Sequence, residues 1–516
     1  MGQCCVKEEG TLNDQIIRSI QGDVHDYYDV GDKIGGGSMG AVYSCKPKPI
    51  RMKLAASIHG SMHGSMHGSI HGKKRYAFAL KMMDINTLSK KYHMSKKEIL
   101  NEINVLKELD HPYIAKCIET FEKDAKSYII TERCFGGDLF ARDPYSEKEA
   151  ATIISQILSA VGYMHSRNII HRDLKFENIL FESDYEDASI KIIDFGLAKK
   201  HQQNSYVTGF GGTVYTMAPE VVHNMPYTYK ADMWSIGVLA YMLLASALPF
   251  ECEDRNRSFS VRRKVTIEKI KKNKLSFKEE RWKLISSEAK EFIKSLCKTN
   301  VNRRWTANEA SKSAWIRNKS TLSDYLNDED DGLLEKISHR LQDYSKASDL
   351  KKLGLLILAH RTPTNADIVQ LRKVFQKLDY ENDGVITVNE FKTALGSMYP
   401  ESVDLDNMFH GIDVEQNGII GYSEFLAATV ETMSDVEENK LREVFSVLDV
   451  NNSGYVPQKK LKEILGRECN NGSMNELLNE TDMVVDADVS VDDFLELFHY
   501  TKRKKTNTTL GPLMVS

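Results

Sequence analysis

The segment from His171 to Asn178 places a carboxylate, an amine and an amide close together along the chain. The Asp173 carboxylate can accept the proton of a substrate hydroxyl, and Lys175 can neutralise charge on a transferring phosphoryl group. Asn178 can bind a metal ion, as can Asp194, which opens an Asp-Phe-Gly sequence after an apolar run. These residue types at this spacing predict a magnesium-assisted phosphoryl-transfer site.

A glycine-rich segment lies upstream and fits the pattern G-x-G-x-x-G-x-V. Its defined positions are Gly35, Gly37, Gly40 and Val42. Glycines let backbone amides approach phosphate oxygens because no Cβ intervenes. Lys81, at the end of a strand-like run, can pair with the ATP phosphates, and Glu102 on a helical pattern can hold Lys81 in place. Each feature alone is also typical of an ordinary turn or surface charge, but together and in this order they favour a nucleotide site.

Two acidic segments further along match a calcium loop, which needs oxygens at positions 1, 3, 5, 7 and 9, glycine at 6 and a bidentate Glu at 12. Loop one has Asp379, Glu381, Asp383 and Glu390 at positions 1, 3, 5 and 12. Loop two has Asp413, Glu415, Asn417 and Glu424 at the same positions. Two matches in register favour calcium sites over plain acidic turns between helices.

Two later segments keep the repeat but lose ligands. The first acidic residues of the four loops are spaced 34, 36 and 33 residues apart, which indicates repeated supersecondary units. Lys460 occupies position 12 of loop three, where an ammonium group repels calcium. Loop four, which begins at Asp482, lacks the glycine and the closing Glu. We expect calcium at loops one and two, little at loop four and none at loop three, with the altered pair still packing as a structural lobe.

The spacing of the apolar residues predicts the strands and helices that position these groups. Strand-like patterns begin at Tyr28, and regular structure resumes at Tyr76 and continues to about Trp315, whereas residues 6–26 read as polar and mobile. Residues 333–360 carry an apolar stripe that predicts one helix face. Its members are Leu334, Ile337, Leu341, Tyr344, Leu350, Leu353 and Ile357. A His-Gly repeat within 46–75 predicts a flexible loop rather than a metal site, because its glycines oppose a helix.

Composition excludes several classes of protein. The 516 residues are 41% hydrophobic and 28% charged with a net charge of -4, which excludes a wholly disordered chain and disfavours a basic nucleic-acid binder. No apolar run is long enough to cross a bilayer, and the N-terminus has no secretory pattern. The eight cysteines are scattered without a CxxC pair, which predicts reduced thiols in a cytosolic protein.

With Ala218-Pro219-Glu220 added, these motifs resemble the eukaryotic protein kinase family over about residues 28–316. The resemblance implies a β-rich N-lobe, an α-rich C-lobe and ATP bound in the cleft between them. It places a gatekeeper at Thr131 and the hinge at Glu132 to Cys134. The insertion at 46–75 falls between the second and third strands, where a loop can be tolerated. Two further matches to the family are Asp232 in the C-lobe and Arg304 as the partner of Glu220.

The resemblance also bears on the substrate. The sequence from Asp173 to Lys175 has the serine/threonine form of the catalytic loop. Glu177 and Asp138 match positions that often bind an arginine upstream of the acceptor, which implies protein substrates with a basic residue three before the Ser or Thr. Phe176 stands where most members have Pro, a departure that leaves the catalytic groups intact.

A kinase-like region, an amphipathic junction and four EF-hand-like loops in one chain are similar to the calcium-dependent protein kinases of plants and protists. The implied fold is multidomain α+β, with a bilobal kinase fold followed by an all-α calmodulin-like domain of four EF-hands. The expected divisions are a lipidation and targeting segment at 1–27, the kinase domain at 28–316, an autoinhibitory junction at 317–362, the calmodulin-like domain at 363–503 and a tail at 504–516. ATP, Mg²⁺ and Ca²⁺ are the implied cofactors.

The same resemblance implies an intramolecular switch. At low calcium the junction blocks the substrate cleft, with Arg340 acting as a substrate-like cation near Glu177. Calcium then opens EF-hand helices and creates an apolar groove for the rearranged junction. A phosphate in the activation loop, at Ser205, Tyr206 or Thr208, is not expected to be obligatory.

The N-terminus carries a separate signal. Gly2 is a candidate for N-myristoylation, although Val6 departs from the preferred Ser or Thr. One acyl chain binds a membrane only marginally, and Cys4 and Cys5 can supply a second by palmitoylation. We therefore expect a cytoplasmic protein held at the periphery of a membrane.

Three alternatives remain open from the sequence. The first is a calcium-responsive scaffold with an inactive kinase fold, against which the complete set of Lys81, Asp173, Asn178 and Asp194 argues. The second is a calcium-independent kinase with the EF-hands as a docking module, which the intact Glu390 and Glu424 disfavour. The third is a membrane-bound calcium buffer, for which a complete kinase domain is superfluous.

Overall fold

The computed structural model describes residues 16–37, 39–48, 77–201, 206–209, 211–252, 254, 256–278, 280–319, 328–400, 402–432, 438–465 and 488–498. Several sequence predictions lie outside these residues. They concern Gly2, Cys4, Cys5, most of the 46–75 insertion, Ser205, the first half of loop four and the tail.

Six strands form a single sheet in the N-lobe (residues 16–132). The strands are β1 (Arg18–Gln21), β2 (Tyr28–Gly37), β3 (Gly40–Pro47), β4 (Phe78–Asp84), β5 (Cys117–Lys123) and β6 (Lys126–Glu132). They lie in the order β1-β5-β6-β4-β3-β2, so the glycine-rich hairpin is at one edge and β1 at the other. The helices of this lobe are α1 (Val24–Tyr27), α2 (Ile85–Tyr92) and α3 (Lys96–Glu108).

Strand β1 corrects the expectation that residues 6–26 are a polar, mobile segment ahead of the fold. Residues Arg18–Gln21 pair in parallel with β5, in register with Glu119 onward. Ile16 and Ile17 are buried, and Arg18 forms an ion pair with Glu119. For the described part of this segment the prediction is wrong, and the folded domain begins before Tyr28.

The C-lobe (residues 133–319) is mainly helical. Its helices are α4 (Glu147–Ser166), α5 (Pro219–Val222), α6 (Lys230–Ala245), α7 (Phe259–Lys272), α8 (Ser287–Leu296), α9 (Ala307–Ser311) and α10 (Ala314–Lys319). Two short antiparallel pairs flank the motif-bearing segments: β7 (Ile169–Ile170) with β10 (Lys199–Lys200), and β8 (Ile179–Phe181) with β9 (Ile190–Ile192). Nearly every residue of α6 is buried, which explains why this helix is apolar all round.

The junction consists of two helices, α11 (Asp328–Ser345) and α12 (Asp349–Arg361), rather than one helix over 333–360. Ser348 caps α12, because its hydroxyl accepts a hydrogen bond from the amide of Lys351. All members of the predicted apolar stripe are buried. The prediction of a buried helical face is confirmed, and the prediction of one continuous helix is wrong because a serine cap starts a second one.

The EF domain (residues 366–498) repeats a helix–loop–helix unit. Its elements are α13 (Ala366–Leu378), β11 (Ile386–Thr387), α14 (Val388–Leu395), α15 (Leu405–Ile412), β12 (Ile419–Ile420), α16 (Tyr422–Thr429), α17 (Glu438–Leu448), β13 (Tyr455–Val456), α18 (Gln458–Leu465), β14 (Val489–Ser490) and α19 (491–498). Strand β11 pairs with β12, and β13 pairs with β14. The second pairing confirms that the altered loops three and four still associate.

One hydrophobic core extends from the C-lobe through the junction into the EF domain. Helix α11 packs against α15 and α16, and α12 packs against α16 and α17. A second, smaller core lies under α1 and the N-lobe sheet. None of the described helices combines the length and the apolar character needed to cross a membrane.

Candidate active site and calcium loops

Lys81 lies in the middle of β4 and reaches two carboxylates. Its Nζ is 2.7 Å from Oε1 of Glu102 and 2.7 Å from Oδ1 of Asp194. Glu102 is buried on α3, which begins with a Ser95–Glu98 capping box. Burial opposes the charged amine, but the two carboxylates outweigh this and raise the pKa of Lys81. The structure thus brings together the predicted lysine, its glutamate and the aspartate of the Asp-Phe-Gly sequence.

Asp173 is held by donors from separate segments. Lys175 Nζ donates to Oδ2 at 2.8 Å, and the hydroxyl of Thr213 donates to Oδ1 at 2.7 Å. Asn178 Nδ2 donates to the backbone carbonyl of Asp173 at 2.8 Å. Both carboxylate oxygens are therefore oriented, and the group can accept a proton from a substrate hydroxyl.

Asp232, in the first turn of α6, fixes the backbone ahead of this carboxylate. Its buried side chain accepts hydrogen bonds from the amides of His171 and Arg172, each at 2.9 Å, and lies 3.0 Å from Nε2 of His165. Arg172 has a φ of 69°, a left-handed conformation that is unfavourable for a side chain of this size. The amide bonds to Asp232 hold the loop in this conformation.

A second buried ion pair anchors the end of the activation segment. Arg304 donates to both carboxylate oxygens of Glu220, at 2.6 and 3.0 Å. Arg304 is 1% exposed, so the pair is shielded from water. The structure therefore places Arg304 where the kinase resemblance implied it, as the partner of Glu220.

The glycine-rich hairpin requires glycine most strictly at its last defined position. Gly40 has a φ of 154°, and a Cβ there would lie 2.2 Å from the carbonyl oxygen of Met82. Across the hairpin, Gly35 pairs with Val42 and Gly37 pairs with Gly40. The predicted phosphate-binding segment is thus a β-hairpin at the edge of the sheet, next to the strand that carries Lys81.

The predicted hinge, Glu132 to Cys134, begins at the last residue of β6. The Glu132 carboxylate is buried and accepts from Lys191 Nζ at 2.9 Å and from the amide of Lys116 at 2.8 Å. It also accepts from the hydroxyl of Thr364, which follows the junction, at 3.1 Å. The hinge is therefore in direct contact with the chain that leads into the EF domain.

The residues predicted to bind magnesium fit that ion. Mg²⁺ prefers oxygen ligands and binds to proteins through one or two carboxylates plus substrate phosphates. The Asp194 side chain remains 38% exposed, and Asn178 uses its amide nitrogen, not its oxygen, to bind Asp173. A bound Mg²⁺ neutralises charge on the phosphates. Asp194 and Asn178 would hold the ion, while Lys81 would orient the phosphates.

Calcium loop one has a preformed backbone. The Asp379 carboxylate accepts from the amides of Asp383 and Gly384, at 3.0 and 2.9 Å, and Glu390 accepts from the amide of Glu381 at 3.1 Å. Burial and the nearby Asp383 carboxylate raise the pKa of Asp379 well above its usual value. A dication would relieve this repulsion, so the donor set fits Ca²⁺.

Loop two repeats the same arrangement. Asp413 accepts from the amides of Asn417 and Gly418, at 3.1 and 2.9 Å, and Glu424 accepts from the amide of Glu415 at 3.1 Å. Burial raises the pKa of Glu424 to about 8. Within the described residues, no three His, Cys, Asp or Glu side chains converge closely enough to hold a metal ion. Each carboxylate that accepts an amide keeps further acceptor sites, which remain available to calcium.

Loop three keeps the backbone but not the closing ligand at position 12. Asp449 accepts from the amides of Ser453 and Gly454, at 2.9 and 2.7 Å, as in loops one and two. The Lys460 ammonium instead donates to the carbonyl of Leu448 at 2.9 Å. In the described half of loop four, the Ser490 hydroxyl accepts from the amide of Asp493, and the Asp493 carboxylate at position 12 accepts from the amide of Ser490. Loop three thus lacks the position-12 carboxylate, and loop four has the shorter Asp there in place of Glu.

Both intact loops rest on the turn between α3 and β5. Asp110 accepts from the amide and the hydroxyl of Ser423, each at 2.7 Å, and so caps α16 behind loop two. The ring of His111 lies against Gly384, where a Cβ would be 2.1 Å from the ring. A third connection between the EF domain and the kinase domain lies elsewhere. It is a bidentate, buried ion pair between Arg372 and Glu182, with contacts of 2.6 and 2.5 Å.

The junction lies at the β5 side of the N-lobe. His360 Nε2 is 2.7 Å from the carbonyl oxygen of Cys117, and Arg361 donates to Glu119 at 2.6 Å. Glu119 is fully buried and is also bound by Arg18. The structure does not bring Arg340 to Glu177. Arg340 lies on α11, which packs against α15 and α16.

Sequence reasoning missed several residues that the structure places at the site. Thr213 binds Asp173, Tyr215 donates to Glu177 at 2.6 Å, and Asp110 caps α16. Thr213 lies a few residues before the Ala-Pro-Glu sequence, so its place in the motif was a usable signal. The other contacts join segments far apart in sequence and had no local signal.

Comparison with known proteins agrees with the geometry. The family described as "Protein kinase domain" matches residues 59–316, and the family described as "EF-hand domain pair" matches residues 368–430, which hold loops one and two. The chain is 31% identical over 498 residues to calcium-dependent protein kinase 3 of Plasmodium berghei, an alignment that covers 93% of this chain and 82% of that protein. It is 32% identical over 498 residues to calcium-dependent protein kinase 12 of Arabidopsis thaliana, covering 95% and 92%.

The site and the relatives lead to the same conclusion. A lysine held by a glutamate, an oriented catalytic aspartate and oxygen ligands for Mg²⁺ form an ATP-dependent phosphotransferase site, and two EF-hand loops carry ligands for Ca²⁺. The chain belongs to the calcium-dependent protein kinases, in which a serine/threonine protein kinase domain is joined to calcium-binding EF-hands.

Proposed function

We propose that calcium at loops one and two activates this kinase by favouring the arrangement in which the junction lies on the β5 side of the N-lobe. At low calcium the junction occupies the substrate cleft instead. A ligand shifts such an equilibrium only if it binds one arrangement more tightly. The contacts of loops one and two with His111 and Asp110 give the two arrangements different surroundings for the calcium ligands.

The observation that carries this proposal is the coincidence of two contacts. Arg361 of the junction is bound to Glu119 of β5, and in the same structure Lys81 is bound to Glu102. The Lys–Glu pair must be in place for phosphoryl transfer in protein kinases. With the junction seated here, the groups that bind Asp173 are Lys175, Asn178 and Thr213 of the kinase domain, which leaves the carboxylate available to a substrate hydroxyl.

In the low-calcium arrangement, Arg340 is proposed to reach Glu177 as a substrate-like cation. Arg340 is half-buried on α11, so it must leave the EF domain to do so. Substrates are proposed to carry a basic residue upstream of the Ser or Thr, because Glu177 is exposed beside the catalytic loop. We further propose that Gly2 is myristoylated and Cys4 and Cys5 are palmitoylated, which would hold the cytoplasmic protein at a membrane.

The test is transfer of phosphate from ATP to a Ser peptide with an upstream Arg, at saturating Mg²⁺, with calcium chelated and then restored. Activity is expected only with calcium. Glu390→Gln combined with Glu424→Gln should abolish the response, because each change removes a bidentate ligand. Glu186→Gln, at an exposed C-lobe position, is the matched control. Equal activity with and without calcium in the unaltered protein would contradict the proposed activation by calcium.

An Asp194→Asn variant separates catalysis from scaffolding. Loss of transfer in this variant, with calcium binding by calorimetry unchanged, is expected of an enzyme. Transfer that persists would assign the activity to a contaminating kinase and revive the scaffold alternative. Mass spectrometry of the expressed protein tests the N-terminal modifications separately, and unmodified Gly2, Cys4 and Cys5 would exclude them.

A further inference from the structure

His360, in the last turn of α12, joins the junction to the N-lobe through its imidazole ring. The residue is 3% exposed, and its Nε2 lies 2.7 Å from the carbonyl oxygen of Cys117, the first residue of β5. A carbonyl oxygen can only accept, so Nε2 carries a hydrogen and donates it. The junction thus contributes a titratable group to the buried contact between α12 and the N-lobe.

The second ring nitrogen of His360 has no hydrogen-bond partner among the described residues, although it is buried. In the neutral ring this Nδ1 is an acceptor without a hydrogen. In the protonated ring it is a donor on a charged group, and a buried charged donor without an acceptor is strongly unfavourable. The geometry of the contact therefore requires the neutral ring.

The charges nearest to the ring favour the same state. Lys116, just before β5, and Arg361, the next residue of α12, both oppose a further positive charge. Asp110, in the turn between α3 and β5, acts in the opposite direction, as does the hydrogen bond to the Cys117 carbonyl. Burial, followed by the charge of Lys116, prevails over these two and lowers the pKa of His360 to about 4.

The other titratable groups of the elements packed against α12 supply no acceptor. On β5, Glu119 is bound by Arg361, and burial raises the pKa of the Cys117 thiol to about 12. On α16, burial keeps Tyr422 neutral by raising the pKa of its hydroxyl. On α17, the charge of Glu443 acts on Arg361. Among the described residues none of these groups forms a hydrogen bond with Nδ1 of the histidine.

We propose that docking of the junction on β5 requires a neutral His360, so that acidification raises the calcium concentration needed to activate the kinase. This inference rests on the proposed calcium-driven docking and adds the proton as a second input. When the junction leaves β5, His360 loses its burial and its contact with Cys117, and the ring titrates near its ordinary value of about 6.5. Protons therefore favour the undocked arrangement and calcium the docked one, which makes them antagonists.

Docking should strengthen as the pH rises, because the docked ring binds its proton less tightly than the undocked ring. The contribution of His360 is complete above about pH 6.5 and is lost progressively below it. Between about pH 7.5 and about pH 6.0, one histidine of ordinary pKa should lower the docking equilibrium about fourfold. Because two calcium ions share this change, the half-activating calcium concentration should rise about two- to fourfold.

The test titrates calcium against the activity of the full-length protein at about pH 7.5 and about pH 6.0, with each curve scaled to its own maximum. The measured quantity is the ratio of the two half-activating calcium concentrations. In His360→Gln, whose amide can donate to Cys117 but does not titrate, this ratio should be about two- to fourfold smaller than in the unaltered protein. His339→Gln, at an exposed position of α11, is the matched control and should keep the unaltered ratio. Competition between protons and calcium at the loop carboxylates is common to all three proteins and cancels from the comparison.

Exchange of the imidazole C2 hydrogen, followed by mass spectrometry, measures the pKa of His360 directly. It should lie near about 6.5 with calcium chelated and well below that value with calcium bound. An unaltered ratio in His360→Gln overturns the inference. If the half-activating concentration also rises at both pH values in that variant, the histidine is purely structural. A pKa that calcium does not change, in a protein that calcium still activates, overturns the inference and leaves the switch intact. Equal activity with and without calcium would overturn the proposed function and this inference together.

Discussion

Asp173 can act as a base only if its oxygens stay oriented while its charge remains available. The donors at 2.7 and 2.8 Å from Thr213 and Lys175 orient both oxygens. Lys175 also bonds to Thr213 at 3.2 Å, so the three groups form a closed triangle. When a substrate hydroxyl enters, it can use the remaining acceptor sites of the carboxylate. The triangle therefore orients the carboxylate while leaving acceptor sites for the substrate proton.

Asp173→Asn tests this role, because it keeps the shape and a carbonyl acceptor but removes the proton acceptor. We expect kcat to fall on the order of 10²- to 10⁴-fold, the usual contribution of a general base. The Kd for ATP should change little, since Lys81 and its two carboxylates are untouched. Steady-state kinetics and equilibrium nucleotide binding give the two readouts. Asp187→Asn, at an exposed C-lobe position, should match the unaltered protein, and a mutant with normal kcat would remove Asp173 from the mechanism.

At the residue scale, the sequence predicted those groups whose spacing along the chain encodes their chemistry. Lys81, Glu102, Asp173 and Asp194 all lie where the motifs required. The hydrogen bond from Tyr215 to Glu177 was not predictable, because it joins residues 38 positions apart and depends on how the activation segment folds back. Such contacts have no periodic or local signal.

At the scale of elements, loops one, two and three share one backbone. In each, the first Asp accepts the amides of the fifth and sixth residues, and the sixth is glycine with a φ of 82° to 85°. Loop three differs at its end, where Lys460 reaches the carbonyl of Leu448. The ammonium group stands in the half of the loop that a bidentate Glu would otherwise close. The three loops therefore share the bonds of the first Asp, and loop three alone among them ends in a cation.

Lys460→Glu should restore calcium binding to loop three, because the backbone and the ligands at positions 1, 3 and 5 are already present. Calorimetry should show one more calcium equivalent per chain than in the unaltered protein. Lys459→Glu is the matched control, since it makes the same charge change one position earlier and supplies no ligand. If both variants bind the same number of calcium ions, the defect of loop three lies elsewhere than in position 12.

Helix α16 lacks a capping side chain of its own, because its N-cap residue is Gly421, which has no side chain to bind the free amides. Asp110 of the N-lobe performs this role through the Ser423 amide. Asp110→Ala should lower the free energy of opening at that amide by about 0.5–2 kcal/mol, the usual loss for a missing cap. Hydrogen exchange at Ser423 measures it. Ser423→Ala, which removes only the hydroxyl bond, should have a smaller effect, and unchanged exchange in Asp110→Ala would show that the cap is not needed.

Two elements escaped prediction for different reasons. Strand β1 has four residues and gains its stability from β5, about a hundred residues away, so no local pattern could reveal it. The break between α11 and α12 did have a local signal, because Ser348 followed by Asp349 is a typical helix start. The apolar stripe continues through the break, and its regular spacing concealed the cap.

At the scale of the whole molecule, the EF domain and the kinase domain share one hydrophobic core and a set of polar contacts. The sequence predicted both domains but not the face on which they meet. Glu182 and Arg372 show why: they are 190 residues apart, and each alone reads as an ordinary surface charge. Only the assembled structure shows that both are buried and paired. The pair provides a direct test of whether the docked arrangement is the active one.

Removing one partner of a buried ion pair leaves an uncompensated charge, which typically costs about 3–5 kcal/mol. Arg372→Met and Glu182→Leu are therefore each expected to weaken docking and to lower kinase activity at intermediate calcium, with a higher calcium concentration needed for half activation. The double variant replaces both charges by apolar groups, a change that is often neutral or stabilising. It should recover most of the lost activity, so the coupling energy of the cycle should be large. If the single variants reach half activation at the same calcium concentration as the unaltered protein, the docked arrangement is not the one that calcium selects. If the loss in the double variant equals the sum of the losses in the two single variants, the loss arises from separate damage to each domain.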